Sequence, residues 1–380
     1  MWLRRVLIAA LVLLVIGAAG MGGMGWYYAG EIEEGALAVD RSPETYDLTV
    51  KAVAEGSVTL AVTDDTDLEH GDWRQDGVWG LEWDGGYAQV GRIVELTDSE
   101  VVRSLTPLSG IPPTGQAARL DTFAFDGDPR SALGIPFDEV TFTSDGAELP
   151  AWRIAGSDDT WAILVHGKGS SREETLRMLP LVVDAGMPAL AITYRNDEGA
   201  PASKTGFYDY GASEWRDLEA AVQYALGQGA KDVVLVGYSM GGGIVASFMY
   251  NSDAAGNVAR IVLDSPMLAF ADVIDYGAER RGLPGILTWA GKTVASVRYG
   301  LDWDGLDYLG RSDNLKVPVL LFHGDADRTV HIRTSERLAA ANPDMVTYVH
   351  VAGATHVRSW NVDRPAYEAA VASFLEEVIE

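Results

Sequence analysis

The sequence predicts an α/β protein, a mostly parallel sheet with helices on both faces, preceded by a small β-rich unit and an N-terminal transmembrane helix. Three observations predict it. An uncharged stretch at residues 6–28 opens the chain, short alternating segments run from Tyr46 to about Phe125, and apolar runs alternate with amphipathic helical patterns after residue 137. The 380 residues are 47% hydrophobic and 22% charged with 11 Trp, which is core-forming material and excludes a disordered chain. Acidic residues number 55 against 29 basic ones, and the net charge of −26 argues against nucleic acid as a partner. Zero cysteines exclude a disulfide framework, a thiolate metal site and a cysteine nucleophile.

The opening stretch follows Arg4 and Arg5, is aliphatic from Val6 to Ile16, turns small and glycine-rich, and closes on Trp26, Tyr27 and Tyr28. Its length suits a bilayer, and the arginines before it and Glu31, Glu33 and Glu34 after it place the amino terminus inside. We read it as an uncleaved anchor that leaves the rest of the chain outside the cell membrane, because the apolar run continues past Ala18-Ala19-Gly20 to an aromatic belt. The competing reading is a signal peptide cleaved at those small residues, which secretes the protein.

The β-rich unit shows strand patterns at Asp47 to Val50, Ser57 to Val62, Val78 to Trp83 and Tyr87 to Val94, with Gly/Asp turns between them. A loop holding Pro107, Gly110, Pro112, Pro113 and Gly115 lies near its end, and 126–136 reads as a linker. Trp73, Trp79 and Trp83 read as core rather than a ligand platform.

After residue 137, strands are expected at Val140 to Thr143, Trp152 to Ala155, Trp161 to Val165, Ala189 to Thr193, Val233 to Val236, Ile261 to Leu263, Val317 to Phe322 and Val346 to Val351. Helices are expected at Arg172 to Ala185, Ser213 to Leu226, Met240 to Tyr250, Thr334 to Ala341 and Arg364 to Val378. The interval Met267 to Ser312 breaks the alternation and reads as a cap over the carboxyl edge of the sheet, with Leu283, Ile286, Leu287, Trp289 and Trp303 offered as an acyl pocket. The expected division is an anchor or signal at 1–30, a β-rich accessory domain at 31–130, and a catalytic domain at 131–380 with the cap at about 267–312.

Chemistry concentrates in four short motifs. Gly237-Tyr238-Ser239-Met240-Gly241 stands between a buried strand and a helix, where flanking glycines permit a tight turn that exposes the serine hydroxyl. Ser239 needs a base, and His356, between the last strand and the last helix, returns to the same sheet edge. His323, His331, His350 and His70 are worse placed. The acid follows the penultimate strand, in His323-Gly324-Asp325-Ala326-Asp327; Asp325 sits in the turn, while Asp327 lies farther along and is better able to reach His356. For the oxyanion, the amide of Met240 is one donor and that of Lys168, in His166-Gly167-Lys168-Gly169, the other. The Lys168 side chain reads as exposed.

These elements closely resemble the α/β-hydrolase superfamily over about residues 137–380. The matching motifs are His-Gly at 166 and 167, Gly-Tyr-Ser-Met-Gly-Gly at 237–242, His-Gly-Asp-x-Asp-x-x-Val at 323–330, and His356. The resemblance implies a sheet of about eight strands, a serine hydrolase mechanism without cofactor or metal, and Asp327 as the triad acid. The chain also resembles membrane-tethered serine hydrolases, the group of broad esterases and acylglycerol lipases, and its Arg-rich, Lys-poor composition resembles that of actinobacterial proteins. Glu173, Tyr194, Arg195, Asn196 and the run Gly211 to Asp217 look like this group without a role attached. The expected substrate is a small or lipid-like carboxylic ester, cleaved through an acyl-enzyme. A peptidase or amidase of the same fold is the alternative, and a non-catalytic membrane-tethered binding protein the rival from another class.

Overall fold

In the computed structural model, residues 2–69 and 71–379 are described; His70 lies outside the described residues. The first helix, α1 (Trp2–Ile32), is the expected apolar one, and it continues through a short π-helical turn to Leu37. Its C-terminal part is not free. Ala29, Ile32 and Leu37 are buried in the same hydrophobic cluster as the main sheet.

Six strands then close a barrel: β1 (Leu48–Ala54), β2 (Ser57–Val62), β3 (Trp79–Trp83), β4 (Gly86–Leu96), β5 (Glu100–Pro107) and β6 (Ala117–Asp121), in the order β1-β2-β5-β4-β3-β6. Closure removes the sheet edges, and Trp73, Trp79 and Trp83 fill the interior with Val50, Leu60 and Val90. Four of these strands match the sequence expectation, while β5 and β6, on either side of the expected Pro/Gly loop, were not among the strands expected. The inward positions of β5 are Val101, Arg103 and Leu105, so a buried arginine interrupts the apolar alternation that marks a strand.

A short helix α2 (Pro129–Leu133), capped by Asp128, crosses to the second sheet. That sheet has eight strands: β7 (Asp138–Ser144), β8 (Ala147–Ile154), β9 (Thr160–Val165), β10 (Ala189–Ile192), β11 (Asp232–Tyr238), β12 (Val258–Asp264), β13 (Val319–Gly324) and β14 (Val346–Val351). Their order is β14-β13-β12-β11-β9-β10-β8-β7, and only β8 runs against the rest. Helices on both faces are α3 (Leu179–Asp184), α4 (Trp215–Gly227), α5 (Met240–Asn251), α8 (Arg333–Ala341), α9 (Ser359–Val362) and α10 (Arg364–Ile379). Between β12 and β13 lie α6 (Phe270–Arg280) and α7 (Gly285–Tyr299). The helix expected at Arg172 to Ala185 divides into a 3-10 turn (Arg172–Arg177) and α3, with Pro180 in the first turn of α3.

The central strands β9, β11, β12 and β13 are buried on both faces, which gives the unbroken apolar runs seen in the sequence. One side packs on α4 and α5, the other on α3 and α10. Helix α7 meets α1 closely: a Cβ on Gly25 would stand 2.9 Å from the Ala290 carbonyl oxygen. Arg298 stacks on Trp26, and Tyr299 donates to Glu33 at 2.7 Å. The acyl pocket expected from the insert is not built from its tryptophans. Trp289 is 57% exposed on the outer face of α7 beside Ile286 and Val297, and Trp303 stacks on Phe270 while its ring nitrogen donates to Ser296.

Candidate active site

Strand β11 ends at Tyr238, and the chain turns at Ser239 into α5. Ser239 takes φ +48° and ψ −114°, a strained conformation that turns the hydroxyl out of the sheet. The glycines make this possible. A Cβ at Gly241 would lie 2.3 Å from the Val165 carbonyl oxygen, and one at Gly237 would lie 2.8 Å from the Gly242 nitrogen. The Ser239 carbonyl accepts from Gly242 at 3.0 Å and from Met267 at 2.9 Å, which fixes the turn from both sides.

His356, on the loop between β14 and α9, brings Nε2 to 2.8 Å from Ser239 Oγ and Nδ1 to 2.7 Å from Asp327 Oδ2. Asp327 comes from the loop after β13, and its other oxygen accepts from the amides of Thr329 at 2.8 Å and Val330 at 2.9 Å. His323 Nε2 lies 3.1 Å from Asp327 Oδ2, and its Nδ1 is 2.7 Å from Ser335 Oγ. Burial by itself would raise the Asp327 pKa. The charge of His356 and the hydrogen bonds of both imidazoles outweigh it and hold the carboxyl well below the usual range.

Across the strand ends, residues 162–371 match the model of the alpha/beta hydrolase family, more than half of the chain. The chain belongs to the alpha/beta hydrolase family. Residues 49–121, the barrel strands, match a second model, a domain of unknown function (DUF8805). Among curated proteins, the hydrolase is 23% identical to the uncharacterised protein YfhR of Escherichia coli over 63% of this chain and 79% of that one. It is 24% identical to the uncharacterised protein Rv2307c of Mycobacterium tuberculosis, over 65% and 82%. Among solved structures, an esterase of Pyrococcus furiosus, Pf2001, aligns over 66% of this chain and 96% of its own with TM-score 0.54 and 21% identity, a likeness of fold.

The hydrolase holds its second loop with residues that carried no role in the sequence. Gly167 donates its amide to Glu174 at 2.7 Å, and Tyr194 donates its hydroxyl to the Gly167 carbonyl at 2.9 Å. His166 is fully buried, 2.9 Å from Asp197 and stacked on Tyr194. Burial works to lower the His166 pKa, but Asp197 outweighs it and raises the value. Among the described residues, the backbone amides of Lys168 and Met240 have no protein acceptor. The Lys168 side chain is half-buried rather than exposed, and its ammonium donates to the Gly35 carbonyl at 3.0 Å.

Other predicted positions brace the surroundings. Arg195 forms a two-pronged pair with Asp217, both contacts 2.7 Å, and Asn196 donates to Phe207 at 2.8 Å. Glu214 is buried and accepts from the amides of Asp209 and Gly211; burial and Asp209 push its pKa up to about 7. Glu173 takes a hydrogen bond from Ser171. Asp325 does not approach His356; it accepts from Gly353 at 2.7 Å and lies 3.1 Å from His350. Glu174, Asp197 and His323 were missed as supports, although His323 and His166 stand in the very His-Gly motifs that were singled out. From the insert, Tyr276 donates to the Asp327 carbonyl at 3.1 Å, along one wall of a cleft of about 470 Å³ that Glu69, Gly71, Arg74 and Gln75 of the barrel line opposite.

Proposed function

We propose that this chain is a serine hydrolase that cleaves carboxylic esters through an acyl-enzyme. The observation that carries the proposal is the unbroken path from Ser239 Oγ through His356 to Asp327, with both steps at 2.7–2.8 Å. His356 takes the Ser239 proton as the hydroxyl attacks the ester carbonyl, and Asp327 steadies the imidazolium. The amides of Lys168 and Met240, which have no protein acceptor among the described residues, receive the oxyanion, each worth about 3 kcal/mol in the transition state. His356 then protonates the departing alcohol, and water releases the acyl group by the same steps in reverse. Each step is a proton or acyl transfer among these groups and calls for no cofactor.

Esters are preferred over amides because the structural neighbour Pf2001 is named an esterase. The substrate is a small or lipid-like ester met at the membrane. Helix α1 anchors the chain with its amino terminus inside and the catalytic domain (131–380) and β-rich domain (31–130) outside; its apolar length and the charges that flank it support this reading. The test is turnover of a nitrophenyl ester beside an aminoacyl anilide. The wild type should cleave the ester faster, and Ser239→Ala or His356→Ala should lose about 10⁴-fold or more. Faster anilide cleavage would move the assignment to an amidase, and ester turnover surviving in Ser239→Ala would remove the serine from the reaction.

A further inference from the structure

The loop that carries His356 is strained. Gly353 has φ +76°, and Val357 has φ +56°, a left-handed conformation that a β-branched residue keeps only when its neighbours over-determine it. On the sheet side, Val357 is held by Ser265, which accepts from its amide at 3.1 Å, and by Arg177, which donates to its carbonyl at 3.2 Å. From the segment after β13, Asp325 accepts from the Gly353 amide at 2.7 Å and the Ala326 amide donates to the Ala354 carbonyl at 3.1 Å, and a further set of supports comes from the barrel. Gln75 donates to the Gly353 carbonyl at 2.8 Å and accepts from the Thr355 hydroxyl at 3.3 Å. Asp72 lies 3.5 Å from the Arg358 guanidinium. Farther along, Asn361 donates to the carbonyls of Val78 at 2.8 Å and Thr122 at 2.9 Å, and its own carbonyl accepts from Val78 at 2.9 Å.

The barrel strip that makes these contacts is itself shaped from inside. Arg103 is fully buried and donates to the carbonyls of Asp72 at 3.3 Å, Trp73 at 3.1 Å, Gly91 at 3.0 Å and Gln75. The two terminal nitrogens of this guanidinium, bonded to four carbonyls while its Nε has no partner, fix the path of residues 72–75, and with it the reach of Gln75 and Asp72. These two residues grip the loop on either side of His356 without touching its ring.

We infer that the barrel is a positioning device for the His356 loop, in which Gln75 and Asp72, braced by Arg103, keep Nε2 aligned with Ser239. The inference rests on the reading of His356 as the general base. A base displaced from its serine slows attack and leaves the binding of the acyl group nearly unchanged, so the effect belongs in kcat.

The test uses the full chain with Gln75→Ala, Thr355→Val, the pair together, and Lys51→Ala as a control on exposed β1. For each, kcat and KM on a nitrophenyl ester, the rate of fluorophosphonate labelling and Tm are measured. Gln75→Ala should lower kcat and the labelling rate about tenfold or more, with KM within about twofold and Tm close to that of the parent. Thr355→Val removes the Gln75–Thr355 contact and the 3.5 Å contact to Asp72 but leaves the Gln75–Gly353 bond, so it should slow kcat less than Gln75→Ala does, and the two changes together should be less than additive. Lys51→Ala should match the parent. A folded Gln75→Ala with parental kcat would overturn the inference, as would a lowered Tm with unchanged kcat. Failure of the wild type to label at Ser239 would instead sink the serine hydrolase reading itself.

Discussion

Asp327 and Asp325 stand two residues apart and do different things because of what faces them. Asp327 meets His356 and two backbone amides, while Asp325 ties Gly353 and His350. Asp327→Asn keeps the shape but cannot support the imidazolium, so kcat should fall about 10⁴-fold, whereas Asp325→Asn should lose far less. Because the folded chain holds Asp327 below the ordinary value of 3.8, its stabilising share is present above that pH and is lost as pH falls through the folded value. Glu214 behaves in the opposite sense. Its pKa rises from 4.5 to about 7, so the folded chain binds a proton that the unfolded chain has released, and stability falls as pH rises across that interval. Tm should therefore decline over the interval in the wild type, and Glu214→Gln should lack that decline. A decline of the same size in the variant would assign the effect to other groups.

The turn from β11 into α5 was legible because its requirement is local: glycine must stand where a Cβ would strike the neighbouring strand. Gly241→Ala forces that contact with the Val165 carbonyl, and denaturant unfolding should show a loss of about 3 kcal/mol, accompanied by lower activity. Unchanged stability would mean that the elbow tolerates a methyl group. The central strands β9, β11, β12 and β13 were legible for a related reason, since strands covered on both faces carry continuous apolar runs. The missing pieces have physical causes. Strand β5 hides behind Arg103, whose terminal nitrogens bond carbonyls contributed from residues 72–91, and no local pattern can report that. The insert reads as an irregular apolar cap because α7 spends its apolar residues on several neighbours. Gly291 and Ala290 face α1, Ala295 is buried, and Ile286, Trp289 and Val297 remain outside. The supports Glu174 and Asp197 are legible only once the sheet has placed them under the loop at 166–168.

Taken together, the two domains and the first helix form a connected body. Ala29, Ile32 and Leu37 are buried against the core of the main sheet, and Lys168, Tyr208 and Tyr210 hold the backbone at Gly35, Leu37 and Ala36. The candidate site thus lies one short segment from the C-terminal end of the apolar helix. If that helix is an anchor, the native chain should stay with membranes after alkaline extraction, and external protease should reach the barrel and catalytic domains. Release by alkali as a shortened soluble chain would show cleavage instead. The side of the membrane was read from charges flanking α1, and the fold itself is indifferent to it.

A serine hydrolase requires an activated serine, and active-site labelling reads that state without knowledge of the natural ester. Full-length protein treated with a fluorophosphonate and digested for mass spectrometry should carry the label on the peptide that contains Ser239, and Ser239→Ala should carry none. A folded chain that remains unlabelled, or one labelled at another residue and equally so in Ser239→Ala, would contradict it.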